Sequence, residues 1–305
     1  MRGFGKTLNG PERRMNVRDS TGEKIFYAIN YAILTLLALS CIIPLMNVIA
    51  LSLSDANAIM TGKVSLIPVG WTLYSFESLF KGTPIVSAFW NSVEITLVGT
   101  ILSVSATIMA AYPLARRQFY ARNFFTMAMV FTMLFSGGLI PTYLIVSKLG
   151  LVNSYSALWL PGLVSAYNVL IMRTYFANIP YELEEAARID GCGETRILFN
   201  IMLPLSKPVV ATIALFCGVG FWNAFMSVMI YINDTAKYNL TVLVQNMIKS
   251  TSMVQDFSDP DMISNLTPDG IRSAAVIIMV VPILLVYPFL QKYFVKGVML
   301  GSIKG

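Results

Sequence analysis

The sequence predicts an all-α polytopic membrane protein with six transmembrane helices, and three observations carry that prediction. Of 305 residues, 56% are hydrophobic and only 12% are charged, with no histidine, a balance far from that of soluble domains. Several runs reach the roughly 20 apolar residues that a bilayer core of about 30 Å demands of a helix. Lysine and arginine also collect in alternate connections between those runs, as insertion into a membrane requires.

The spans fall, in order, at 25–53, 85–115, 124–146, 154–176, 208–232 and 271–295. The first exceeds the apolar core of a secretion signal and has no small-residue cleavage site after it, so it is expected to stay in the protein. Ala38-Leu39-Ser40-Cys41 faintly suggests a lipoprotein site, but the chain continues apolar through Ile42-Ile43-Pro44-Leu45. Pro44, Pro113, Pro141, Pro161, Pro282 and Pro288 lie within or at the ends of these runs. Each removes an amide donor and kinks or ends its helix. Two readings stand for them, packing geometry or hinges for alternating access.

Orientation follows from the basic residues. Arg2, Lys6, Arg13, Arg14, Arg18 and Lys24 precede the first span, Arg116, Arg117 and Arg122 follow the second, and Arg173, Arg188, Arg196 and Lys207 lie at the connection after the fourth. Lys292, Lys296 and Lys304 close the chain. The opposite connections mix Lys63, Lys81, Lys148, Lys237, Lys249 and Arg272 with Asp55, Glu77, Asp234, Asp256, Asp259, Asp261 and Asp269. Segment 1–24 and tail 296–305 are therefore expected in the cytoplasm, and 233–270 outside it. This topology accounts for the net charge of +6 without a nucleic-acid partner; the partner it implies is membrane lipid.

Other classes lack their chemistry. Cys41, Cys192 and Cys217 are dispersed and form neither a disulfide framework nor a metal spacing. No Gly-x-x-x-x-Gly-Lys-Ser/Thr phosphate loop occurs, so no nucleotide cofactor is expected in this chain. An intramembrane enzyme would need a metal motif or a nucleophile with its base, and neither is present. An ion-coupled secondary transporter or channel of six spans remains the alternative, although a chain without histidine and with one acid well inside a span is poorly equipped for a proton relay.

One polar island interrupts the apolar pattern at 178–207. Pro180 suits an early helix position, and Glu182, Glu184 and Glu185 place negative charge at the positive end of the helix dipole. Leu183, Ala186 and Ala187 share a face at helical spacing, and Glu184 is placed to pair with Arg188 one turn on. Asp190-Gly191 then supplies a glycine for a left-handed helix end. A second short helix from about 194 to 202 returns Ile197, Leu198 and Ile201 toward the bilayer before Pro204 and Pro208 interrupt it. By composition alone this is also what an ordinary amphipathic connection looks like.

Spacing adds more. Glu185-Ala186-Ala187, Gly191, Ile201 and Leu203-Pro204 fall at the intervals of the signature carried by permease subunits of ATP-binding-cassette importers, and the chain resembles that family. Ala110-Ala111-Tyr112-Pro113-Leu114-Ala115-Arg116 resembles the Ala-Tyr-Ala-Leu-Ala-Arg stretch of carbohydrate-uptake permeases similar to the smaller maltose-transporter permease, with Pro113 a departure. Trp222-Asn223 and the tail 297–305 resemble theirs too. Phe135-Ser136-Gly137-Gly138-Leu139-Ile140-Pro141-Thr142-Tyr143, Ile171-Met172-Arg173-Thr174-Tyr175-Phe176 and Leu203-Pro204-Leu205-Ser206-Lys207-Pro208 resemble an LplC-like branch associated with complex or acidic oligosaccharides such as alginate or pectin fragments.

The resemblance implies a type I ABC importer permease in a bacterial plasma membrane, paired with a second homologous permease. It further implies two cytoplasmic ATPase subunits, which bind ATP and magnesium, and an extracytoplasmic sugar-binding protein. Glu182, Glu184, Glu185, Ala186, Ala187, Asp190, Gly191, Ile201, Leu203 and Pro204 would form the ATPase-coupling element within the permease domain 25–295. Leu300, Gly301 and Lys304 would reach the same ATPases, with fraying the competing reading. Candidates for the substrate path are Glu94 with Asn91 one turn away, and Asn47, Asn168, Trp222, Asn223 and Tyr231. Amides and aromatic faces suit sugar hydroxyls and rings, though inside a bundle they also bond neighbouring helices. Segment 233–270 is either a docking site for the binding protein or a mobile loop.

Overall fold

The computed structural model describes residues 21–249 and 267–302. The chain divides at Asn47, with the helix up to that residue forming one unit and Val48 onward the other. Helix α1, Thr21–Ser52, carries Pro44 inside it. Its side chains from Ile25 to Ile43 are exposed, including Phe26, Tyr31 and Leu36, as fits a helix whose solvent is lipid.

In the second unit, the helix shared by the buried clusters is α4, Ile85–Ala115, a continuous helix of 31 residues and so about 46 Å long. Its buried positions are Ile85, Ala88, Ser92, Ile95, Gly99, Ser103, Thr107, Ala111 and Leu114, one stripe at spacings of three and four. Most are small, which lets neighbouring backbones approach in a medium where apolar burial gives no drive for association. A Cβ on Gly99 would sit 2.7–2.8 Å from the ring of Phe221. That ring occupies the space a larger residue would need.

Around α4, three buried clusters assemble the remaining elements. At its start, Ile85 and Ala88 pack with Leu79 of α3, Tyr74–Gly82, and with Trp222, which ends α12, Lys207–Trp222. Leu240, Val244 and Met247 of α14, Leu240–Lys249, and Ile271, Ala274 and Ala275 of α15, Pro268–Ser302, complete that cluster. Ile95 leads the middle cluster with Val146, Leu158, Val228 and Tyr231. Ala111 and Leu114 join Val169, Met172 and Phe176 of α8, Ala166–Ala177, at the far end. The same cluster takes Ala187, Ile197, Met202 and Ile213. A short helix α2, Ala56–Met60, is capped by Asp55, whose carboxylate accepts from the Asn57 amide at 3.1 Å.

Several of the predicted spans are interrupted helices. Among the described residues, Thr21–Ser52, Ile85–Ala115 and Pro268–Pro288 are continuous helices long and apolar enough to cross a membrane. The expected span 124–146 is broken into α5, Arg122–Leu134, and α6, Leu139–Lys148, bent by 112°. The break lies at Phe135-Ser136-Gly137-Gly138: α5 stops at Leu134 with Phe135 in extended backbone, and Gly138 leads into α6 at φ 83°, a conformation open to glycine. Span 154–176 resolves into α7, Ser156–Trp159, and α8, with Pro161 and Gly162 in the gap. Span 208–232 divides into α12 and α13, Met226–Tyr231, and a bend of 82° separates α12 from the helical turns at Glu194–Leu205 before it.

Segment 233–270, read as a docking or mobile loop, contains α14, whose Leu240, Val242, Leu243, Val244 and Met247 are buried in the core. Asn239, itself buried, starts this helix: its side-chain oxygen accepts from the Val242 amide at 3.0 Å and its amide donates to the Ala224 carbonyl at 2.7 Å. Ser92 accepts from the Leu240 amide at 2.8 Å, which fastens α14 to α4.

Candidate functional site

The polar island folds as the sequence predicts in outline. Helix α9, Glu182–Ile189, has all three expected glutamates in its first turn and no side-chain cap, so their charges complement the exposed amides there. It ends in a glycine turn. Gly191 has φ 76°, its amide donates to the Arg188 carbonyl at 3.0 Å, and the Cys192 amide donates to the Ala187 carbonyl at 2.9 Å. That pair of bonds is a Schellman closure, which uses carbonyls a helix end leaves orphaned. Helix α10, Glu194–Ile197, then runs through a π-helical turn, Leu198–Met202, into α11, Leu203–Leu205. Ser206 separates α11 from α12.

Burial divides α9 sharply. Only Glu184 and Ala187 are buried, while Glu182, Leu183, Glu185, Ala186 and Ile189 are exposed, with Ile189 at 87%. The apolar face expected from Leu183, Ala186 and Ala187 is therefore split, with Ala187 alone turned into the core. Asp190 and Gly191 are also exposed, Ile201 and Leu203 are half-buried, and Pro204 is exposed. Ile197 and Met202 anchor the return in the cluster around Ala111 and Leu114.

Glu184 does not pair with Arg188. It forms an ion pair with Arg116, the residue that caps α4. Arg188 instead reaches Glu194 at 2.5 Å. Tyr112 donates a hydrogen bond to the Glu194 carboxylate at 2.7 Å and accepts one from Arg116, whose guanidinium also lies 4.3 Å from the centre of the Tyr112 ring. The Tyr112 ring meets Phe176 edge-on at 6.3 Å. Spacing within a helix favoured Arg188 as the partner, but a buried carboxylate requires a buried cation and Arg116 supplies it.

The substrate-path candidates each have their own surroundings. Asn91 donates to the Ala236 and Tyr238 carbonyls at 2.8 and 2.9 Å, Trp222 to the Met279 carbonyl at 3.1 Å, and Asn223 to the Val219 carbonyl of its own helix at 3.0 Å. Asn168 is buried, its amide 3.5 Å from the Cys217 sulfur, and Tyr231 stacks on Tyr143 at 6.2 Å. Glu94 is exposed on α4, and both it and Asp234 act electrostatically on Tyr155. Asn47 lies near the end of α1. The backbone of Leu300 and Gly301 continues α15, and Lys304 lies outside the described residues. Residues that sequence reasoning missed are Arg116, Tyr112 and Glu194; the arginine ending the Ala-Tyr-Pro-Leu-Ala-Arg stretch was the available signal.

With this geometry in place, the comparisons with known proteins agree with one another. A family profile described as binding-protein-dependent transport system inner membrane component matches residues 14–300. The polygalacturonan/rhamnogalacturonan transport system permease protein YtcP of Bacillus subtilis (strain 168) is 42% identical over 93% of this chain and 99% of its own. Protein LplC of the same organism is 40% identical over 95% and 98%. A crystal structure of a bacterial ABC transporter involved in the import of the acidic polysaccharide alginate contains a chain that is 28% identical, with a TM-score of 0.86 over 91% of this chain and 99% of that one. The chain therefore belongs to the binding-protein-dependent transport system inner membrane components, and it is a multi-pass permease subunit of a bacterial ABC importer for sugars rather than an ATPase.

Proposed function

We propose that this permease forms, with a second homologous permease, the path for an acidic oligosaccharide of the pectin or alginate type. The observation that carries this is near full-length similarity to a polygalacturonan/rhamnogalacturonan permease by sequence and to a chain of an importer of the acidic polysaccharide alginate by structure. Glu94, the acid within α4, has the same sign as such a cargo, so cationic contacts must come from the second permease or the binding protein. Uptake of labelled neutral and acidic oligosaccharides by the reconstituted complex tests this. Uptake confined to neutral sugars refutes it.

Segment 178–207 is the coupling element in this reading. Support comes from its division of labour: Glu182, Glu185, Ala186 and Ile189 are free to meet an ATPase, while Glu184, Ala187 and Ile197 hold the segment to the bundle. ATP-driven closure of two cytoplasmic ATPases holding ATP and magnesium would move the spans as rigid bodies. Both chain ends lie on that cytoplasmic side, as the basic residues require, and a sugar-loaded binding protein delivers cargo at the opposite face. The tail, including Leu300, Gly301 and Lys304, reaches the ATPases; truncation after Met299 should weaken coupling, and unchanged coupling would remove the tail from this scheme.

A further inference from the structure

We infer that Arg116 and Glu184 form an electrostatic latch that fixes the coupling helix to the end of α4, so that motion of α9 is delivered to that span. The inference rests on the coupling role proposed above for 178–207. Helix α9 has eight residues, too few to be stable alone, and the one apolar side chain it buries is an alanine. Apolar packing by a single methyl group does not set the direction of a helix. An ion pair does.

The geometry supports this at each partner. Arg116 and Glu184 keep side-chain exposures of 14% and 7%, so water screens the pair little. Arg116 is itself held by its contact with the Tyr112 ring, and a guanidinium that stacks and pairs at once is poorly replaced by an ammonium. A second guanidinium nitrogen lies 3.6 Å from Glu194 at the start of α10, and Tyr112 and Arg188 bind the same carboxylate. The latch thus grips the helices on both sides of the Gly191 turn from one end of α4. Since α4 contributes to all three buried clusters, displacement there is shared with the whole unit.

Arg116 is accordingly a positioning residue, and charge rather than bulk is what the test must probe. Arg116→Gln, Glu184→Gln, their double variant, Arg116→Lys and the exchange R116E/E184R are compared in the full complex in liposomes, reading ATPase co-purification and sugar moved per ATP hydrolysed. The single glutamine variants should retain the ATPases yet lose at least about fivefold in sugar per ATP, as expected when one member of a coupled pair is removed. The double variant should be no worse than either single one, and the lysine and exchange variants should recover part of the loss. A wild-type ratio in both single variants overturns the latch, as do losses that multiply in the double variant. If the single variants shed the ATPases, recovery by charge exchange supports the latch and failure to recover overturns it. Ala186→Arg, on the exposed face, separates the two claims: if it keeps the ATPases and full transport, the coupling role itself falls.

Discussion

Substituting Gly191 isolates the contribution of one backbone angle to the coupling role proposed for 178–207. The residue sits at φ 76°, and no neighbouring heavy atom comes within 4 Å of where a Cβ would stand, so an added methyl group meets open space and the cost is backbone strain alone. Alanine in the left-handed region costs about 1–2 kcal/mol; asparagine, which tolerates that region, costs less. Proline cannot reach a positive φ and removes the amide that bonds the Arg188 carbonyl at 3.0 Å, so about 3 kcal/mol or more is lost. The closure that sets the angle between α9 and α10 then opens. Sugar-stimulated transport should rank glycine, asparagine, alanine, proline, with Gly191→Pro inserting normally but failing to transport. Uptake in proteoliposomes and membrane yield are the two readouts. Normal uptake by Gly191→Pro would refute the reasoning.

Three further substitutions test the frame that carries this turn. Gly99→Ala drives a Cβ to within 2.7–2.8 Å of the Phe221 ring; overpacking of about 1–3 kcal/mol outweighs the gain of about 0.5–1 kcal/mol from replacing a helical glycine. The thermal midpoint should fall and be recovered by adding Phe221→Leu, and an unchanged midpoint in the single variant would argue against the close approach of α4 and α12. Asn91→Leu removes two donors from the Ala236 and Tyr238 carbonyls, at about 0.5–1.5 kcal/mol each. Hydrogen exchange should speed up around 236–240 and not in α9; unchanged protection there would show that Asn91 holds nothing. Trp222→Phe keeps an aromatic ring beside Phe89 but loses the bond to Met279, so stability should drop by about 1 kcal/mol, and a larger loss would point to packing instead.

What the sequence revealed of this fold follows the range of the forces involved. The bounds of α4 coincide with the predicted span, since a long apolar run leaves the backbone no partner but itself. Gly191 was legible for the same local reason, a helix end that needs a positive φ. The break at Phe135–Gly138 was not, because the apolar composition used to place the span at 124–146 does not register where the backbone leaves the helix. Helix α14 was read as loop because its apolar run is too short to span a membrane, although Asn239 preceding Val242 by three residues carries the capping signal. The partner of Glu184 was hidden for a different reason. Spacing along a helix offers Arg188, while the buried cation arrives from the end of another helix.

That last case explains why a charge stands where packing would serve elsewhere. In the coupling role proposed for it, α9 has to leave most of its surface free for a partner, and it exposes Leu183, Ala186 and Ile189 along with two of its glutamates. Widening the buried face enough to hold the helix by packing would draw Leu183 or Ile189 inward, and the outward surface would shrink by the same residues. Two buried positions have to do the work of a whole apolar stripe. A methyl group at Ala187 fills space without direction, whereas the Glu184 carboxylate is satisfied only when a guanidinium stands at one place and angle. With Arg116 fixed over Tyr112 on α4, that place belongs to the spanning helix, and the orientation of the exposed face is set by the bundle rather than by the connection that carries it.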